Sequence, residues 1–310
     1  MEDHAMNLQS LQNFSYFTSW GELDRMSPEE FDAYLADRGL LWKTRKCPNC
    51  LLPRSLSGQF GGEDQGVRLR FQCSRRECRK RGIPRTVGYL KDTFFEQLRG
   101  SRKSLFLASV LFVDSMGTVE DRSLCCNVSK NTITQWDQWF RNIIVETFFD
   151  NEAPRKIGGP NTVLQLEEAC IAKRKCTRGR LARDSWVVGG MISDSREIFV
   201  EITPTRDSAT LDSIITKHVL PGTTIGNLGY VHNTVSNEQS SIEDLPSDMH
   251  IQGTEGAWYN IERAVKLKGG LKGALGDDHF LESVWKWQHN SEPRLYLLWS
   301  EIAKRYPLID

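Results

Sequence analysis

The chain has 310 residues, with 40 Lys or Arg balanced by 40 Asp or Glu, so its net charge selects no partner and its length suits two or three domains. The longest apolar run, Leu105 to Val113, is interrupted by Ser109 and is far too short to span a bilayer. The acidic, polar N-terminus lacks the regions of an export signal, so the expectation is a protein without a membrane partner in a reducing compartment, nuclear in a eukaryote and cytoplasmic otherwise. Its eight cysteines are then thiols or metal ligands, not disulfides.

In chain order, residues 1–44 form an N-terminal helical segment. Ser27 can cap a short helix over 27–41, Pro28 suits its first turn, and Glu29 and Glu30 complement the helix dipole. Phe31, Tyr34, Leu35, Leu40 and Leu41 supply its apolar face. Charge then changes sharply. Residues 1–41 hold eight acids against Arg25 and Arg38, whereas 42–103 hold sixteen Lys or Arg against five acids. Such a local excess is the footprint of a polyanion-binding surface, with an ordinary solvated surface as the alternative.

Residues 45–88 read as a small, loop-rich module with a strand around Arg68–Cys73. Cys47-Pro-Asn-Cys50 and Cys73-Ser-Arg-Arg-Glu-Cys78 are two close cysteine pairs, a spacing that can set four thiolates tetrahedrally around one zinc ion. A module this small cannot bury a sufficient core, so metal ligation would supply its folding energy. Around the second pair lie Arg75, Arg76, Arg79, Lys80, Arg81 and Arg85, a basic rim suited to phosphate contacts. Cys125, Cys126, Cys170 and Cys176 lack ligand spacing.

Residues 89–150 are helical in pattern. Helices are expected at Lys91–Leu98, Lys103–Asp114 and, capped by Ser129, to about Phe149, with Ile133, Trp136, Trp139, Phe140, Ile143 and Ile144 on one side. Helix, turn and capped helix outline a helix-turn-helix, although ordinary helical cores contain the same pairs. Residues 151–160, with Pro154, Gly158, Gly159 and Pro160, read as a linker.

Beyond it, strands are expected at Thr162–Leu166, Ser185–Ile192 and Glu197–Thr203, then a helix at Ala209–Leu220. Short runs at Thr223–Ile225 and Tyr230–Val235, a loop, and a helix over 254–267 follow. Residues 161–292 thus make an α/β domain with a mixed sheet, and 293–310 a C-terminal helix. Lys173, Arg174, Lys175, Arg178 and Arg180 form a second basic cluster between two strands, either a grip on a DNA backbone or a solvated turn. The Gly269–Gly276 stretch lacks the Lys-Ser/Thr ending of a phosphate loop and reads as a loop.

Six uncommon strings follow one another along the chain: Ile157–Pro160, Leu166-Glu167-Glu168-Ala169, Lys173–Arg180, Trp186–Gly190, Leu220–Ile225 and Thr254–Trp258. In these the chain resembles the Merlin superfamily of transposases and related bacterial insertion-sequence transposases, over nearly its whole length. The resemblance implies an RNase H-like domain with an Asp, Asp, Glu triad that holds two magnesium or manganese ions about 3.5–4 Å apart. It also implies transposon terminal repeats as the DNA partner and pairing as a homodimer.

Carried over to this chain, the first Asp falls on Glu167, whose longer side chain moves its oxygens by roughly one bond length, large for octahedral magnesium. Glu168 cannot replace it, because neighbours on a strand point to opposite faces. The third carboxylate is intact as Glu255. The second is absent, because Thr223-Thr224-Ile225 runs almost directly into Asn227-Leu228-Gly229-Tyr230. The expectation is a transposase-derived DNA-binding protein defective in cleavage. One alternative is an active two-metal enzyme that recruits Glu243, Asp244 or Asp248, or whose missing segment is encoded in adjoining genomic sequence. The other is a zinc-ribbon adaptor for protein partners.

Overall fold

A computed structural model describes residues 8–58, 69–80, 85–150, 156–172, 185–195, 197–227 and 274–309. The described residues form a mixed α/β protein with two sheets and eight helices, none of them long and apolar enough to cross a membrane. Two compact units divide the chain. The first is Met1–Ile143 with Ser291–Asp310, and the second is Ile144–Asn290.

In the first unit a short 3-10 turn, Gln9–Leu11, precedes α1 (Tyr16–Arg25) and α2 (Pro28–Asp37). The start of α2 is a reciprocal cap. Ser27 Oγ accepts from the Glu30 N–H, and Glu30 Oε2 accepts from the Ser27 N–H at 2.8 Å. The helix ends earlier than its apolar pattern predicts, because Gly39 takes φ +71° and the Leu40 N–H folds back onto the Leu35 carbonyl at 3.0 Å.

Three short antiparallel strands follow in the order β1 (Ser55–Ser57), β2 (Arg70–Gln72), β3 (Thr86–Gly88). Residues 91–98, expected as a helix, are a string of turns. Asp92 sits at φ +62°, a conformation that no helix continues through.

The helix α3 (Arg102–Val113), capped by Ser101, is buried along most of its length and forms the centre of the unit. Trp299 of the last helix, α8 (Arg294–Arg305), stacks on Phe106 at 5.4 Å and donates from Nε1 to Ser109 Oγ at 3.0 Å. Arg102 of α3 makes a bidentate pair with Asp32 of α2, one arm at 2.8 Å, with both side chains almost fully buried. Burial raises the Asp32 pKa while Arg102 opposes the shift. Then come α4 (Val119–Cys125) and α5 (Lys130–Asp150), the boundary between units falling inside α5.

In the second unit β4 (Val163–Ala172), β5 (Ser185–Ile192) and β6 (Ile198–Thr203) form an antiparallel meander. Then α6 (Ser208–His218) crosses to β7 (Thr224–Asn227), which pairs with β4 in parallel, so the sheet order is β6-β5-β4-β7. Strand alternation places Leu164, Leu166, Val188 and Phe199 with Ile214 and Ile215 of α6 in one cluster. Met191 and Ile198 join Phe280, Leu281 and Val284 of α7 (Ala274–Gln288) in another. The α7 helix begins inside the Gly269–Gly276 stretch that reads as a loop in sequence.

Phe199 can lie across the sheet only because residue 190 is glycine, since a Cβ there would sit 2.4 Å from its ring. Its other face stacks on His218 at 4.7 Å, and His218 and Lys217 both bond Glu201 on β6.

The strings Ile157–Pro160 and Leu220–Ile225, far apart in sequence, form one latch. The Ile157 N–H donates to the His218 carbonyl at 2.8 Å, the Leu220 N–H to the Ile157 carbonyl at 2.9 Å, and the Gly159 N–H to Thr223 Oγ1 at 2.8 Å. Gly158 holds φ +86°, and a Cβ on it would fall 2.5 Å from Thr223 Oγ1. Any side chain there strains the backbone and collides with the latch.

Two outcomes follow from these ion pairs. Asp32→Leu leaves Arg102 buried without a counter-charge and is expected to cost about 3–5 kcal/mol in urea denaturation, most of it recovered in Asp32→Leu/Arg102→Met. Burial works against the Glu201 carboxylate, but Lys217 and His218 outweigh it and hold its pKa below the ordinary range. Its contribution is therefore present above the unfolded pKa and lost as pH falls toward the folded value. Glu201→Gln should cost about 1 kcal/mol at neutral pH and progressively less below about pH 4.

Candidate metal centre

The two cysteine pairs are presented by two turns that the ribbon holds side by side. In the first turn, the Leu51 N–H donates to the Cys47 carbonyl at 2.7 Å and the Cys47 N–H to the Leu52 carbonyl at 2.9 Å. Leu51 takes φ +57° to close it, and Lys46 bridges Pro53 below it. In the second, the Cys73 N–H donates to the Arg85 carbonyl at 2.9 Å and the Cys78 N–H to the Arg75 carbonyl at 3.2 Å, where a 3-10 turn, Arg76–Lys80, begins.

All four sulfurs lie within 4.8 Å of one another, and the Cys47 and Cys78 sulfurs are 3.9 Å apart. Metal–sulfur bonds near 2.3 Å in a tetrahedral zinc site give sulfur–sulfur edges of about 3.8 Å. The donor set fits a metal ion. Cys47, Cys73 and Cys78 are buried and Cys50 is half-buried.

The thiols are not equivalent. Burial opposes ionisation of Cys47, but the backbone N–H groups of Asn49 and Cys50 and the neighbouring thiols bring its pKa down to about 6. The Leu52 N–H leads the lowering at Cys50. Burial pushes Cys78 up to about 12. Backbone N–H groups aimed at sulfur favour thiolate, the form that binds metals. Around the sulfurs the apolar support is thin, with Leu69, Phe71 and Tyr89 buried and the Phe71 and Tyr89 rings 5.6 Å apart.

Of the basic rim, Arg76 is exposed and Arg85 half-buried. For Arg79 and Lys80 only the backbone is described, and Arg81 lies outside the described residues. Arg75 is turned inward. Its Nη1 lies 3.4 Å from Cys50 Sγ, 3.9 Å from Cys73 Sγ and 3.4 Å from the Pro53 carbonyl. No sequence pattern marks that choice, beyond a guanidinium two residues after a ligand cysteine.

The helices α4 and α5 are joined by a four-residue turn, 126–129, with Asn127 at φ +51°. Arg122 of α4 grips Asp137 of α5 through two 2.7 Å bonds, which locks the helix pair, and the pattern of apolar residues gives no hint of it. The first turns of α5 expose Asn131, Thr134 and Gln135.

The second basic cluster, Lys173, Arg174, Lys175, Arg178 and Arg180, lies outside the described residues, as do Glu255, Glu243, Asp244 and Asp248. The Glu167 backbone lies in β4, paired with Gly189 of β5. The described β4–β7 pairing ends with Leu166 opposite Asn227.

Comparison with protein-family models, with curated proteins and with solved structures finds no match to this chain.

The metal centre predicts one bound ion per chain in native mass spectrometry. Cys47→Ser or Cys78→Ser should lower that occupancy. Stripping the ion with a chelator should make all four thiols of the cluster react with a disulfide reagent and open residues 45–88 to proteolysis. Four slow-reacting thiols and no bound ion in the purified protein would contradict it.

Proposed function

We propose that the chain is a transposase-derived DNA-binding protein in which a structural zinc ion organises the ribbon and the cleavage centre is incomplete. On this reading residues 45–88 are a zinc ribbon, α4 and α5 a helix-turn-helix, and residues 161–292 an RNase H-like domain of the Merlin type. The four-sulfur donor set supports zinc, because soft thiolates in a closed tetrahedral array suit it and leave no open position for chemistry. Support for the domain comes from the antiparallel meander, the crossover helix and the parallel fourth strand, together with the latch that joins two of the family-like strings.

The observation that carries the loss of cleavage is the pairing of β4 with β7. Two-metal chemistry needs carboxylates converging on the same ions, and the resemblance implies that β4 and the strand after Thr223-Thr224-Ile225 would each supply one. Here β4 offers Glu167 in place of the shorter Asp, and β7 reads Thr224-Ile225-Gly226-Asn227, followed in the sequence by Leu228. An amide oxygen carries no charge to offset a divalent ion. Affinity for DNA would then come from the ribbon rim, the exposed Arg76 and the half-buried Arg85 with Arg79, Lys80 and Arg81 near them in sequence, and from Lys173 to Arg180. Asn131, Thr134 and Gln135 on α5 offer amide and hydroxyl groups of the kind that read base edges.

A zinc-ribbon adaptor for proteins is the second reading. The exposed leucines Leu51, Leu52 and Leu56 on the ribbon favour it.

The test is a cleavage and binding assay in the same tubes, with labelled duplexes carrying candidate element ends, with magnesium or manganese, and with Glu255→Ala as control. Binding whose affinity falls steeply with salt, without metal-dependent cleavage, is the expected result. Arg76→Ala should weaken binding across all duplexes and reduce the salt slope by about 0.9. Cleavage abolished by Glu255→Ala would restore the active-enzyme reading. Absence of binding at any salt concentration would favour the adaptor.

A further inference from the structure

We infer that Arg75 is a part of the metal centre, a charge-compensating brace across the two cysteine turns, and is not one of the phosphate contacts of the basic rim. This rests on the four cysteines holding zinc, as proposed above.

Its position is unlike that of its neighbours. Arg76 is exposed, whereas Arg75 directs one nitrogen, Nη1, at Cys50 of the first pair, Cys73 of the second and the Pro53 carbonyl. With two hydrogens serving three acceptors, at least one N–H is shared. A guanidinium in that position links the two turns directly, although 22 residues of chain, 51–72, separate Cys50 from Cys73 in sequence.

The charges give the link its purpose. Four thiolates around a divalent ion leave a net charge of −2, and one guanidinium at hydrogen-bond distance halves it. An N–H directed at a metal-bound sulfur also draws electron density from it, which makes that sulfur a poorer nucleophile toward soft electrophiles and a slower ligand to leave when it is protonated or challenged. Cys50 is where this matters most. It is the half-buried member of the four, whereas Cys47, Cys73 and Cys78 are closed off from solvent. Attack on the centre therefore starts at Cys50, and Arg75 covers it. The same contacts withdraw Arg75 from DNA, since a guanidinium engaged with two sulfurs and a carbonyl would have to surrender them to reach a phosphate.

The experiment uses the full-length chain loaded with one zinc ion, as wild type, Arg75→Ala, Arg75→Lys and Arg76→Ala. Zinc release to a chromophoric chelator is followed with and without N-ethylmaleimide, which captures a thiolate by adding sulfur across its double bond with a proton from water. The labelled cysteine is located by mass spectrometry. Arg75→Ala is expected to release zinc about tenfold faster, with Cys50 as the first of the four cluster cysteines labelled, whereas the exposed Cys125 reacts alike in every variant. Arg75→Lys keeps the charge but not the planar fork and should fall between, and Arg76→Ala should match wild type. On loaded protein, the salt dependence of DNA binding should fall for Arg76→Ala and not for Arg75→Ala.

Release from Arg75→Ala at the wild-type rate would overturn the inference while leaving the zinc reading intact. So would first labelling within the cluster at Cys47, Cys73 or Cys78 in place of Cys50, or a salt slope reduced by Arg75→Ala as much as by Arg76→Ala. A wild-type chain that takes up no zinc would overturn both. If Arg75→Ala does not fold, the comparison of Arg75→Lys with wild type decides by the same rates.

Discussion

Residues 45–88 must hold their shape around four sulfurs, and much else in the N-terminal unit depends on how that is done. The three strands there are three residues each, too short to bury a core of their own. What converges is the set of cysteine side chains, brought within 4.8 Å by two turns, the first of which points backbone N–H groups toward sulfur. Four thiolates at that separation repel one another strongly. A cation at their centre would turn the repulsion into the force that closes the ribbon, and under the proposal above Arg75 would remove part of the charge left over. The two ends of the ribbon segment are tied together by Trp42, whose Nε1 donates to the Lys91 carbonyl at 3.1 Å, and by the Arg45–Asp92 pair.

The helical part solves a different problem. Its central helix α3 is apolar nearly all round, so it needs partners on every side. Partners from both ends of the chain supply them, α1 and α2 before it and α8 from the C-terminus, with Trp299 set against Phe106 and Ser109. The buried Asp32–Arg102 pair crosses this core. Such a pair adds little net stability but penalises any packing that separates its members, so it selects one arrangement of α2 on α3.

In the second unit the constraint is close approach. Gly190 lets Phe199 lie across the sheet, and Gly158 lets the chain before β4 lie against Thr223. Both glycines fall within strings that carry the resemblance to transposases, and both have a reason in packing. A latch of this kind brings β7 beside β4 in parallel and so fixes which residues of the two strands are neighbours. That is the frame in which a second carboxylate would matter, and β7 carries none.

Much of this is legible in the residues. Ser27, Pro28 and Glu30 announce the start of α2, because a reciprocal cap needs nothing beyond four consecutive residues. The bounds of β5, Ser185–Ile192, and the two cysteine turns could be read the same way, from alternation and spacing. Residues 91–98 have a helical pattern but adopt turns, since periodicity does not register that Asp92 takes a left-handed conformation. Arg75 counts in the sequence as one base among several, and only the folded ribbon aims it at Cys50 and Cys73. The return of α8 to the N-terminal unit and the parallel pairing of β4 with β7 belong to tertiary structure as well. Caps, turns and ligand spacing are set by bonds among residues a few positions apart. The choice of partner for a guanidinium, a tryptophan or a strand is made between segments distant in sequence, where the packing of the whole unit decides.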